Sequence, residues 1–178
     1  MKILFLVRHY AYLRLFESSI AALAERGHQV HLAAHREEAM GGRQLAEAIA
    51  ARYPGVTLGT APARTGGAWP ELARRLRLGL DYLRYLDSRY DATPHLMTRA
   101  RERAPRVVVW ASGLPGIRSG RGRQMFWSFL RALERGLPVS PEIKAYFSGQ
   151  QPDVVMITPL VDLGSPQLDH LAAARALG

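Results

Sequence analysis

The chain opens on an unbroken apolar run, Ile3-Leu4-Phe5-Leu6-Val7, with no polar alternation. That pattern predicts a strand buried on both faces, as in a parallel sheet. The spacing then changes to threes and fours. Phe16, Ile20, Leu23, Ala24 and Gly27 share one helical face, while Glu17, Glu25 and Arg26 fall elsewhere. Gly27 supplies a left-handed stop. His28 to Ala34 reads as a second strand, with Val30 and Leu32 alternating against His31. A strand, a helix, a glycine and a strand in about 33 residues suit a right-handed parallel crossover.

The same reading predicts a second helix over 37–52, started late or interrupted by Gly41-Gly42. A turn at Tyr53-Pro54-Gly55 and a third strand over 56–59 follow. Residues 61–67 form a loop rich in Pro, Thr and Gly. The middle of the chain changes character. Leu72, Leu76, Leu80, Leu83 and Leu86 stripe a long helical pattern over 69–89. Thr93-Pro94 opens another helix as cap and first residue. Residues 106–110 carry three valines and read as helix extension or irregular chain. Gly113 to Gly122 reads as a loop, 124–135 as a helix, and Ser140-Pro141-Glu142 as the start of a short helix ending at Gly149. The sheet pattern resumes over 153–158 and stops at Pro159. Gly164-Ser165-Pro166 then opens a last helix over 167–177.

Composition narrows the class. A chain of 178 residues with 48% hydrophobic residues suits one globular domain. The absence of cysteine removes disulfides and thiolate metal sites. No signal-peptide pattern and no apolar run of about 20 residues is present, so a cytoplasmic protein is expected. The formal net charge is +9, and only Lys2 and Lys144 among the basic residues are lysines. An anionic partner is one explanation, and an anionic ligand or membrane surface ranks above nucleic acid because the arginines are dispersed. The other explanation is solvated helix faces.

Candidate chemistry gathers at strand ends. Ligands of open parallel sheets bind beyond the carboxyl ends of the strands. Arg8 and His9 leave the first strand at that end, and residues 158–165 leave the last one there. His9 is the candidate general base, because an imidazole titrates near neutral pH, and Asp162 is its candidate orienting partner. Arg8, Tyr10, Arg14, Thr158 and Ser165 are the candidate substrate-binding residues. A hydrogen-bonded histidine at a strand end is the alternative for His9, and helix capping or a surface ion pair the alternative for Asp162 and Asp169. His28 and His31 read as structural. His35, His95 and His170 have no metal-ligand spacing, and no metal or cofactor is expected. Neither a Gly-x-Gly-x-x-Gly fingerprint nor a Walker loop is present.

Two stretches carry a family resemblance. "KILFLVRHYAYLRLFESSIAALAERGHQVHLAA" resembles the start of GT-B-type glycosyltransferases, with a strand, a loop, a helix ending in Arg-Gly-His and a second strand. "QPDVVMITPLVDLGSPQLDHLAAARALG" resembles the later Pro-Asp, strand, loop and helix of the same amino-terminal domain. The resemblance implies an α/β fold, a Rossmann-like parallel sheet with flanking helices and a helical insertion over roughly 69–150. It also implies the amino-terminal half of a longer two-domain enzyme. This half would bind a sugar or lipid-linked acceptor, and an absent carboxyl-terminal domain would bind the nucleotide-sugar donor, so that the chain alone is not competent. A histidine after the first strand is the acceptor base in several such families, and His9 stands there. A peripheral position at an anionic membrane fits the charge, with helix 69–89 as one surface for it, although a core-facing stripe is the stronger reading of that helix. Two other functions remain open. One is a non-enzymatic binding or regulatory module. The other rests on "LVRH", which resembles the start of the phosphoglycerate-mutase-like histidine phosphatases. There Tyr10 replaces the motif's glycine and His170 lies inside a helix.

Overall fold

The computed structural model describes residues 1–36, 41–160 and 162–178. Among the described residues, four strands form one parallel sheet: β1 (Lys2–Val7), β2 (Gln29–Ala34), β3 (Val56–Thr60) and β4 (Val154–Thr158). Their order is β3-β2-β1-β4. Val7 lies in register with Ala34 on one side and with Thr158 on the other, and Ala34 with Thr60. All four strands therefore end along one edge. The fold is the α/β, Rossmann-like one that the apolar runs predict.

Alternation within β1 explains the layers. Ile3, Phe5 and Val7 point to one face, where they pack with Val30, Leu32 and Ala34 of β2. Ile20 of α1 (Glu17–Glu25) and Ala46 and Ile49 of α2 (Gly42–Arg52) cover that face. Leu4 and Leu6 point to the other face. Ile143 and Phe147 of a helix over Pro141–Gln150 and Ala173 of the last helix, Gln167–Leu177, cover it. Because both faces are covered, β1 needs no polar residue between Ile3 and Val7. A 3-10 turn, Tyr10–Leu15, separates β1 from α1. Gly27 has φ 79°, so the left-handed stop predicted there is present. The expected start of the second helix over 37–40 lies outside the described residues.

The chain divides into two compact units. The sheet unit comprises residues 1–64, 139–160 and 166–178, and the helical unit 65–138 and 161–165. The helical insertion is thus shorter than the expected 69–150, because Pro141–Gln150 packs on the sheet. In the helical unit the described helices are α3 (Trp69–Tyr85), α4 (Pro94–Arg103), α5 (Arg106–Ser112), α6 (Pro115–Arg118) and α7 (Gly120–Arg135). The sheet-unit helices that follow are α8 (Pro141–Gln150) and α9 (Gln167–Leu177). Leu80, Tyr82 and Leu83 of α3 are buried with Ala100, Val108 and Leu130, so α3 is core-facing. Arg77 on the same helix is buried too, paired through Nε with Glu134 at 3.1 Å and donating through Nη1 to the Ser165 carbonyl at 3.2 Å.

The predicted loop 113–122 is a correction: it holds α6 and the first turn of α7. Its glycines and prolines conceal two helix starts. Pro115 occupies the first helical position of α6. Ser119 caps α7, its Oγ accepting from the Gly122 amide at 3.1 Å. Gly122 is required for a different reason. A Cβ there would collide with the Gly116 carbonyl oxygen of α6. Gly122→Ala should cost about 1–3 kcal/mol through overpacking. Thermal denaturation would check it, and an unchanged melting temperature would show that α6 and α7 can separate without cost.

Candidate functional site

The strand order reverses at β1. The chain steps outward from β1 to β2 and β3, and β4 then pairs on the opposite side of β1. In open α/β sheets the crevice beyond such a switch point, at the carboxyl edge, is where ligands bind. The residues that leave β1 and β4 at this point are Arg8-His9 and Thr158-Pro159.

Backbone hydrogen bonds fix that edge. The Arg8 amide donates to the Thr158 carbonyl at 3.2 Å, and the Arg36 amide donates to the Arg8 carbonyl at 2.9 Å. The His35 amide donates to the Val7 carbonyl at 3.0 Å. Pairing thus runs one residue past the strands, and the chain turns away at His9. His9 has extended backbone, φ −152° and ψ 156°, immediately before the 3-10 turn. Its half-buried ring lies against Tyr12, with centroids 4.5 Å apart.

The first turn of α9 closes the same edge from the other face of the sheet. Gln167, Asp169 and His170 are all buried. Gln167 Nε2 donates to the Thr158 carbonyl at 2.8 Å, the acceptor that Arg8 also uses. Arg64, beyond β3, donates through Nε at 2.9 Å and Nη2 at 2.8 Å to Asp169 Oδ1. His170 Nε2–H donates to the Pro62 carbonyl at 2.9 Å, and its ring meets His35 edge to face at 5.8 Å. The loops after all four strands are thereby tied to one another or to α9.

Electrostatics make the crevice basic. Burial holds the His35 imidazole below its ordinary pKa of 6.5; the charges of Arg36 and Arg8 push the same way and Asp169 opposes them. Burial also lowers His31, whose Nδ1 meets Thr57 Oγ1 at 2.7 Å. Both groups bind protons less readily folded than unfolded. The unfolded chain therefore gains protons first as pH falls through about 6.5, and stability should be lost below that pH. Thermal denaturation between pH 8 and pH 5 should show the loss for the wild type and a shallower slope for His35→Gln. Equal slopes would remove His35 from this account.

The candidate residues separate on inspection. Arg8, His9 and Thr158 come together at the switch point. Tyr10 does not join them as a substrate-binding residue. Its side chain is buried in the core over α1 and α2, and its hydroxyl donates to the Gly59 carbonyl at 2.6 Å. Arg14 is exposed in the last turn of the 3-10 segment. Asp162 and Ser165 belong to the helical unit, where the Ser165 amide donates to the Asp162 carbonyl at 3.1 Å. In the sheet unit, Asp169 is a buried acid at this edge, and its ion pair with Arg64 is buried rather than on the surface. His35, Arg36, Arg64 and His170 complete the edge; the sequence pattern assigns Arg36 and Arg64 no role and weighs the two histidines only for metal spacing and, for His170, for the phosphatase resemblance. The signal available for two of them was position: His35 and Arg36 follow β2 as Arg8 and His9 follow β1.

Among the described residues, no group of three or more His, Asp or Glu side chains could hold a metal ion. No helix among them is long and apolar enough to cross a membrane. Comparison of the chain with protein-family models, with characterised proteins and with solved structures finds no match.

Proposed function

We propose that this chain is the acceptor-side domain of a GT-B-type glycosyltransferase, with His9 as the base that activates the acceptor hydroxyl. The observation that carries the reading is the position of His9 at the β1/β4 switch point, on the edge lined by Arg8, His35 and Arg36. A sugar or lipid-linked acceptor would enter this crevice. A ring nitrogen of His9 takes the proton as the acceptor oxygen attacks the anomeric carbon of the donor. The bond from that carbon to the nucleoside diphosphate breaks, and the diphosphate leaves with the electron pair. A second domain would hold the nucleotide-sugar.

The basic rim adds selectivity. Arg8 and Arg36 favour an acceptor that carries phosphate or another anion near its reacting hydroxyl. A lipid-linked acceptor of that kind would place the protein at the membrane periphery. The reading is tested by glycosyl transfer in the enzyme formed by this domain and its donor domain, comparing wild type with His9→Ala.

A further inference from the structure

The helical unit exposes apolar side chains in two stripes. On α5, Val107, Trp110 and Leu114 recur at intervals of three and four, the last just beyond its carboxyl end, and Trp110 is 67% exposed. On α7, Met125, Phe129 and Leu133 recur every fourth residue, with Met125 74% and Phe129 57% exposed. A different face of α7 is the buried one: Leu130 is in the core, with Phe126 and Trp127 packed against it. Val108 and Leu130, the inward residues of the two helices, both pack at Gly79 of α3, where a Cβ would lie 3.2 Å from one and 3.5 Å from the other. The two stripes thus belong to helices that both pack on one support, α3.

Charge decides what fits this surface. Residues 94–135 hold nine arginines, two glutamates and no aspartate. One of the glutamates, Glu134, is already paired with Arg77 and Arg131. Arg106 of α5, Arg118 of α6, and Arg121 and Arg135 of α7 are exposed and make no ion pair among the described residues. A second copy of this chain would bring the same positive charge against itself. An anionic bilayer supplies both missing complements, phosphates for the arginines and an apolar interface for Trp110, Phe129 and Met125.

We infer that the α5 and α7 faces dock the protein on an anionic lipid bilayer. The inference rests on the peripheral placement proposed above and not on His9, so vesicle binding and glycosyl transfer report separately. It also moves the membrane surface from the 69–89 helix to α5 and α7, since α3 faces the core of its own unit.

Co-sedimentation of the 178-residue chain with vesicles of phosphatidylcholine and phosphatidylglycerol tests it. Binding should appear with phosphatidylglycerol, weaken as salt is raised, and be absent with phosphatidylcholine alone. Trp110→Ser with Phe129→Ser should reduce partitioning about tenfold or more, with an unchanged melting temperature, since both side chains are exposed. Arg118→Glu with Arg121→Glu should weaken the same binding without touching the apolar stripes. No binding to anionic vesicles at low salt would overturn the inference. So would full binding by the Trp110/Phe129 variant, or a dimer in sedimentation equilibrium that those two substitutions dissolve.

Discussion

Asp169→Ala should destabilise the protein by about 3–5 kcal/mol, the usual cost of breaking a buried ion pair from one side. The Arg64 and Asp169 side chains are 6% and 5% exposed, and two nitrogens of the guanidinium converge on one carboxylate oxygen. Removing the carboxylate takes the charged partner from a buried guanidinium between the loop after β3 and the first turn of α9. The damage follows from desolvation, so removing both charges should be far milder: Arg64→Leu with Asp169→Leu should recover much of the loss. Urea denaturation of the two variants measures both effects. A cost below about 1 kcal/mol for Asp169→Ala would match an exposed pair instead, and would mean that the loop after β3 is not anchored as described.

That ion pair also shows where sequence reading stops. Arg64 and Asp169 stand 105 positions apart, one in a Pro/Thr/Gly-rich loop and one in an Ala-rich helix. No local period joins them; only the parallel order β3-β2-β1-β4 brings their elements to one edge. His170 was hidden in the same way, by its place inside a helix. His9 was legible because strand end and histidine are adjacent in the chain. The burial of its neighbour Tyr10 is not legible, for a related reason. The 3-10 turn that follows His9 swings Tyr10 under the sheet to the Gly59 carbonyl, and a short apolar-polar stretch carries no periodicity that announces such a turn.

The strands themselves were plain. Ile3 to Val7 has to be covered on both sides, and a doubly covered strand at the start of a strand-helix-Gly-strand unit leaves few topologies. Residues 113–122 were opaque because Gly and Pro content outweighed the cap at Ser119 and the proline at the first position of α6. The interval 106–110 resolved as helix, against its valines, because Val108 packs on Gly79 of α3 while Val107 stays exposed; tertiary contact outweighed β-propensity there.

His9→Ala is the second large effect. General acid–base catalysis usually contributes about 10²–10⁴-fold. Its loss should appear in kcat for transfer, because the contacts proposed for the acceptor at Arg8 and Arg36 remain. His9 is half-buried against Tyr12 rather than in the core, so folding should be spared. Arg8→Ala should act differently, raising KM for an anionic acceptor more than it lowers kcat. The decisive measurement is therefore the steady-state rate of glycosyl transfer by the proposed two-domain enzyme with His9→Ala, beside its melting temperature. The account predicts a fall in kcat of about 10²–10⁴-fold at an unchanged melting temperature. A rate within about threefold of wild type would contradict it, and would leave the switch-point histidine without a part in the chemistry.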